Sequence, residues 1–466
     1  MNRFRGRPVA LGAAFAVATA GMTLGVAPPS HAAERAATGS TCTTHPVIYY
    51  GSTGACVKRA QQLLIEHGYS VGSSGADGIF GAATRTAVTR FQSPRHLNVT
   101  GVVDRLNWKA LEAFGPTGSA CVTQSFDHLT RSQRVGQLLM VGQERDNGSY
   151  VHALMKYDHV GNIVLLGGWS GNSTVGHIAD ADQGLASDAW TGNVPLFIAA
   201  DQEGGYVQQL TGTGFTTLPT ALTQGTWSST HQQSTAATVG QQLRDVGVNV
   251  NLAPVTDTVP QSLGTGNKPI GYYYREYGYT PSTVSRAVTN VVHGLNSRTE
   301  IATLKHFPGL GRITNNTDTS STGITDNTAT TSDPYLAPFR SGITAGAGMV
   351  MVGLAWYPKI DSANQAAFSP KIITTLLRGQ LGFKGVVVSD SLSAVAAQHI
   401  SVGQRAVRFI AAGGDIALTG NAREIPAMHS AILAKMAASP TFTKQVNAAV
   451  HRVLTLKSTH GLLFCS

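Results

Sequence analysis

Four places in the chain set charged side chains directly after a short apolar run. Asp201 follows the run 196–200 and opens Asp201-Gln202-Glu203-Gly204-Gly205. Asp257 comes just beyond the run 248–252 and Ala253-Pro254-Val255. Lys305 and His306 follow 301–304, and a hard turn at Pro308-Gly309 leads from them into a polar loop that reaches Asp318. Asp390 follows Val386-Val387-Val388-Ser389. Carboxylates, an ammonium and an imidazole brought to one place make a polar site able to move protons, attack an electrophile or grip a polar ligand. Each has a structural explanation when taken singly. Asp390 ahead of Ser391-Leu392 could cap a helix, Pro308-Gly309 could be an ordinary turn, and Asp318 could close a local Asx-turn. The same pattern at several separate strand ends is harder to explain that way and favours a site.

The runs that precede these residues belong to a longer series: 136–141, 162–166, 196–200, 248–252, 301–304, 349–352, 386–388 and 415–418. Apolar residues at helical spacing lie between most of them, as in 282–295 and 369–377. Continuously apolar strands alternating with helices are buried parallel strands, and eight of them predict an α/β fold, a (β/α)8 TIM-type barrel over residues 126–461. In such a barrel the C-terminal strand ends converge on one face, which would assemble Asp201, Asp257, Lys305, His306 and Asp390. A doubly wound sheet is the alternative; no Gly-rich phosphate fingerprint follows a strand, so nucleotide chemistry is not supported.

The barrel does not account for the N-terminal part. Arg3, Arg5 and Arg7 precede an apolar stretch, and Ser30-His31-Ala32-Ala33 has the small residues of a cleavage site. Residues 1–33 therefore read as a secretory signal peptide whose removal leaves no membrane anchor. The chain's formal net charge is +9; residues 1–33 contribute three arginines and no acid, so +6 remains. A mildly basic exported protein suits a polyanionic surface such as a bacterial wall. No Lys/Arg run with interleaved aromatics argues for nucleic acid. Charged residues make up only 13 % of the chain and apolar residues 42 %, the balance of a folded protein. Cys42, Cys56, Cys121 and Cys465 form an even set, which in an exported protein predicts disulfides with three possible pairings. At least one bridge is expected to staple the segment 42–121; without a CxxC or His cluster, metal binding is the weaker reading.

Residues 34–41 read as a linker, and 42–121 as a compact unit with three short amphipathic helices. Asp77-Gly78-Ile79-Phe80-Gly81, Ala87-Val88 with Phe91-Gln92, and the later Val102-Val103-Asp104 and Trp108 resemble the type 1 peptidoglycan-binding domain, a small all-α three-helix module. The resemblance implies that this unit holds the protein on wall polymer, with peptidoglycan and its glycan fragments as partners. A second linker is expected at 116–125.

The barrel's motifs also carry a resemblance. Asp201-Gln202-Glu203-Gly204-Gly205, Asn251-Leu252-Ala253-Pro254-Val255, Lys305-His306-Phe307-Pro308-Gly309 and Gly385-Val386-Val387-Val388-Ser389-Asp390 are similar, in order, to glycoside hydrolase family 3, in its single-domain β-N-acetylglucosaminidase branch. Ser369-Pro370-Lys371 and Ala412-Gly413-Gly414-Asp415 extend the likeness. It implies a retaining exo-glycosidase with Asp390 as nucleophile and with Asp201, Arg275, Lys305 and His306 holding the sugar. Glu203 is not catalytic in the family pattern. No metal or organic cofactor is implied.

The loop after Gly311 departs from the family. Leu310 stands where the branch has a second His, and no His occupies the flap, where an Asp-Ser-His triplet supplies the acid/base. Asn316-Thr317-Asp318 takes the triplet's place, in a loop that reads two residues longer, with Asp318-Thr319-Ser320 as its counterpart. Tyr206 and Gln209 replace two arginines, and Ser391 replaces an Asp. Asp318 is the candidate acid/base, with Asp326 as another; the alternative function is a non-catalytic wall-binding protein whose barrel binds sugar without turnover. The flap, with little apolar anchoring, is expected to be mobile.

Overall fold

Buried Val-, Ile- and Met-rich runs pair side by side into a ring in the computed structural model, which describes residues 42, 44–95, 97–113, 118–463 and 465. The expected leader and the linker after it lie outside the described residues. Near the N-terminus, α1 (Ala55–Glu66), α2 (Ala82–Gln92) and α3 (Arg105–Glu112) enclose a separate small core with Leu64, Phe91, Val103 and Trp108 at its centre. The buried Gln61 amide joins α1 to the following loop, by bonding Asp77 and the Gly78 N–H, and to α2, by bonding Thr84. The Cys42–Cys56 disulfide staples this unit.

The helices α4 (Gly118–His128) and α5 (Arg131–Gly136) then lead into the barrel. Its strands are β1 (Leu139–Gln143), β2 (Asn162–Leu165), β3 (Phe197–Ala200), β4 (Val250–Asn251), β5 (Ile301–Phe307), β6 (Met349–Val352), β7 (Val386–Ser389) and β8 (Ala417–Thr419). Each pairs in parallel with its neighbour, β8 pairs with β1, and a parallel bridge between Val388 and Ile416 closes the ring. Every strand residue is buried, which is why these strands carry no polar alternation. The (β/α)8 barrel expected from the eight runs is thus the observed fold.

Three local expectations are corrected. The first strand, expected at 136–141, starts at Leu139 and runs to Gln143: Thr130 and Gln133 make a reciprocal capping box that starts α5, and the chain stays helical to Gly136. A Cβ at Gly136 would lie 1.9 Å from the His159 carbonyl oxygen, so only glycine allows this approach. From Gly118 the expected linker 116–125 is helix. Val122 and Phe126, four residues apart, bury one face of α4 against the last long helix, Pro440–Thr459, and Phe126 stacks on His451 at 4.0 Å. Cys121, on α4, bonds Cys465 and so ties the start of the barrel to its end. The third correction concerns β5, which runs past Leu304 to Phe307, so that Lys305 and His306 are buried within the strand.

Candidate active site

At the C-terminal ends of the strands lies a cavity of about 440 Å³, within the size range of small-molecule sites. Asp201, Arg275, Lys305, His306, Asp318 and Asp390 all line it. These six candidates from the sequence are therefore at one place, drawn from three strand ends and two long loops.

Its floor is an ion network. Lys305, from β5, lies 2.5 Å from Asp201 Oδ1 and 2.5 Å from Glu203 Oε1. Arg275 donates from Nε and Nη2 to the two Glu203 oxygens at 2.9 and 2.8 Å, and from Nη1 to the Pro269 carbonyl at 2.8 Å. This fork-to-fork pairing fixes the guanidinium plane. Burial alone would raise the Glu203 carboxyl, but the Arg275 and Lys305 charges outweigh it and hold it at about 2. Burial alone would lower the Lys305 ammonium; Asp201 and Glu203 instead hold it above its usual range. Sequence reasoning set Glu203 aside, yet it is the counter-ion that keeps two buried cations charged beneath the cavity.

His306 is positioned by a residue that the sequence marked only as a strand-end acid. The wholly buried Asp257 carboxylate accepts from His306 Nδ1 at 2.8 Å, from the His306 backbone N–H at 3.2 Å and from the Leu310 N–H at 2.7 Å. One carboxylate thus fixes both the imidazole and the turn after it. With Nδ1–H given to Asp257, Nε2 is the ring nitrogen left for a ligand.

Asp390 extends from β7. Its backbone N–H bonds the Val352 carbonyl at 2.9 Å, and its Oδ1 accepts the Ser391 N–H at 2.8 Å. The side chain is half-buried against the cavity.

The loop carrying Asp318 is anchored, contrary to the expectation of a mobile flap. Ile313, Thr317 and Ile324 are buried. The Thr317 and Asp318 carbonyls accept the Ala396 and Val395 N–H groups at 3.1 and 3.2 Å. Gly311 packs so closely that an added Cβ would lie 1.8 Å from the Thr258 oxygen. Asn316, not Asp318, makes the local Asx-turn: its side-chain oxygen accepts the Asp318 N–H at 2.9 Å. Asp318 is exposed at the cavity's edge, but its carboxyl is crowded by protein atoms. That desolvation, and then the Asp390 charge, push it up to about 6 against the pull of His306 and Arg275. Asp326 is not at the cavity. Its carboxylate accepts from Arg312, from the Thr328 N–H and hydroxyl and from the Ala329 N–H.

The arrangement offers one carboxylate beside a second carboxyl that holds its proton into the mildly acidic range, above a floor of hydrogen-bond donors and acceptors suited to hydroxyl groups. The family model for the glycosyl hydrolase family 3 N terminal domain matches residues 130–456, and a second model, for a peptidoglycan binding domain, matches 53–111. A solved β-N-acetylhexosaminidase from Beutenbergia cavernae DSM 12333 is 42 % identical with a TM-score of 0.68, the match covering 70 % of this chain and 98 % of that one. A family 3 β-N-acetylglucosaminidase from Paenibacillus sp. str. FPU-7 is 32 % identical with a TM-score of 0.62, covering 72 % of this chain and 63 % of that one. The β-hexosaminidase LpqI of Mycobacterium tuberculosis is 30 % identical over 347 residues, 71 % of this chain and 83 % of its own length. On these matches, the chain belongs to glycoside hydrolase family 3.

Proposed function

We propose that this protein is a secreted, retaining exo-glycosidase that removes β-linked N-acetylglucosamine from peptidoglycan-derived glycans. The observation that carries the reading is that Asp318 and Asp390 share one cavity, with Asp318 the carboxyl that holds its proton. In the first step Asp390 attacks the anomeric carbon, the glycosidic C–O bond breaks, and the Asp318 proton passes to the departing oxygen. In the second, water attacks the glycosyl ester, Asp318 takes the water's proton, and Asp390 is released as carboxylate. Asp201 accepts from sugar hydroxyls, while Lys305, Arg275 and His306 Nε2 face sugar oxygens. The relatives named as hexosaminidases support the sugar. The matched peptidoglycan-binding module, the two disulfides and the signal-like N-terminus support export and attachment to the wall.

Incubation with a 2-fluoro-glycoside bearing a good leaving group tests the reading. A covalent mass increase that disappears in Asp390→Asn is expected. Absence of both an adduct and release from an aryl β-N-acetylglucosaminide would mean that the barrel binds sugar without turnover, the reading that the missing flap histidine favours. Attachment has its own test. Deleting residues 42–113 should abolish pelleting with insoluble peptidoglycan while soluble aryl-glycoside hydrolysis persists; undiminished pelleting would contradict it.

A further inference from the structure

The cavity's rim carries an aromatic cluster that the reaction does not use. Tyr206, Tyr272, Tyr273 and Tyr274 are 70 %, 49 %, 38 % and 39 % exposed. The Tyr206 and Tyr273 rings lie edge to face at 6.1 Å, and the Tyr272 and Tyr273 rings at 4.9 Å. Tyr206 and Tyr273 also line the cavity, so the cluster is continuous with it. Three large exposed aromatics, Tyr206, Tyr272 and Tyr273, in ring contact at a cavity's edge are the kind of patch that marks a ligand-binding surface.

The cluster is held firmly. Tyr206 sits at the tip of the hairpin formed by Gln202–Gly204 and Val207–Gln208, whose Gly205 N–H bonds the Leu218 carbonyl at 3.0 Å. Tyr272 and Tyr273 follow a turn organised by the buried Asn267. The Asn267 side-chain oxygen accepts the Ile270 and Gly271 N–H groups at 3.0 and 2.9 Å. Its amide donates to the Leu310 and Ile313 carbonyls, both at 2.7 Å. The Lys268 N–H bonds the Thr314 carbonyl at 3.2 Å, and its ammonium lies 4.5 Å from the centre of the Tyr272 ring. Tyr274 takes a φ of 54°, a left-handed conformation that a bulky residue rarely adopts. The tyrosine turn is therefore bolted to the base of the loop that carries Asp318.

That bolting gives the platform a direction. Resting on the reading of Asp318 as acid/base, the glycosidic oxygen stands at Asp318, and the leaving group departs along the edge next to that loop. We propose that Tyr206, Tyr272 and Tyr273 form a stacking platform for the leaving-group sugar of an extended glycan. Tyrosine suits this because its ring face covers the C–H face of a pyranose while its hydroxyl reaches the ring's oxygens. A rigid platform loses little conformational freedom when the sugar settles on it.

The test compares two substrates that differ only in the leaving group: N-acetylglucosaminyl fluoride, which has no leaving-group ring, and triacetylchitotriose. Tyr273→Ala should lower the ratio of kcat/KM on the trisaccharide to that on the fluoride about tenfold or more, mainly through KM. Tyr272→Ala, outside the cavity, should lower the same ratio and leave fluoride hydrolysis within about twofold. Equal losses on both substrates, or none on either, would overturn the platform. Calorimetry on Asp390→Asn separates this failure from failure of the catalytic reading. If the wild type turns over neither substrate but Tyr273→Ala still weakens trisaccharide binding and spares N-acetylglucosamine, the platform stands and the catalytic reading falls. Trisaccharide binding that is unchanged by Tyr273→Ala overturns the platform.

Discussion

Asp318, on the loop after β5, lines the same cavity as Asp390, at the end of β7, and the charge of Asp390 helps to keep the proton on Asp318. Asp318 must carry that proton in the first chemical step, so kcat/KM should fall as pH rises through about 6. Asp390→Asn removes the second cause of the shift and should lower the Asp318 titration midpoint. Carboxyl-carbon NMR of the two proteins checks this; an unchanged midpoint would mean that the two groups do not interact.

Glu203 binds Arg275 and Lys305 together in a buried network. Glu203→Gln leaves two buried cations with Asp201 as their nearest acid and should destabilise the fold by about 3–5 kcal/mol in denaturant titrations. The sign of the pH dependence follows from the depressed folded value. The stabilisation that Glu203 contributes is present above its ordinary value of 4.5 and is lost as pH falls through about 2. The gap between wild type and variant should therefore narrow in acid; a gap that widened there would contradict the pairing.

Asp257→Ala orphans the Leu310 N–H and removes the acceptor from His306 Nδ1. An unsatisfied buried donor costs about 1–3 kcal/mol, and a loss of at least that size is expected in the unfolding free energy. Because His306 then loses its fixed orientation, KM should rise as well. Unaltered KM in a folded variant would mean that His306 does not hold the sugar.

Much of this was readable from the chain. The uninterrupted Met349-Val350-Met351-Val352 and Val386-Val387-Val388 runs admit little but buried parallel strands, and Asp390, just past the second, falls on the barrel's functional face. What was not readable depends on distant partners. Glu203 looks like a loop acid until Arg275 and Lys305, which lie 72 residues and more away in sequence, arrive beside it. The Gly-, Ser- and Thr-bearing segment that begins α4 resembles a linker because its helix depends on packing against Pro440–Thr459 and on the bond to Cys465. The polar loop after Gly311 looks unanchored because it has only two buried isoleucines, and its bonds to the backbone of residues 395 and 396 are ones that no side-chain pattern reveals.

The central claim is that an aspartate does the work a flap histidine does elsewhere in the family. Asp318→Ala should slow release of a poor, unactivated leaving group from a β-N-acetylglucosaminide by about 10²–10⁴-fold. With an activated aryl glycoside, added azide should restore turnover and yield the β-glycosyl azide, the product of attack on a retained glycosyl-enzyme. Wild-type rates for Asp318→Ala on the poor leaving group, with no azide product, would contradict the account.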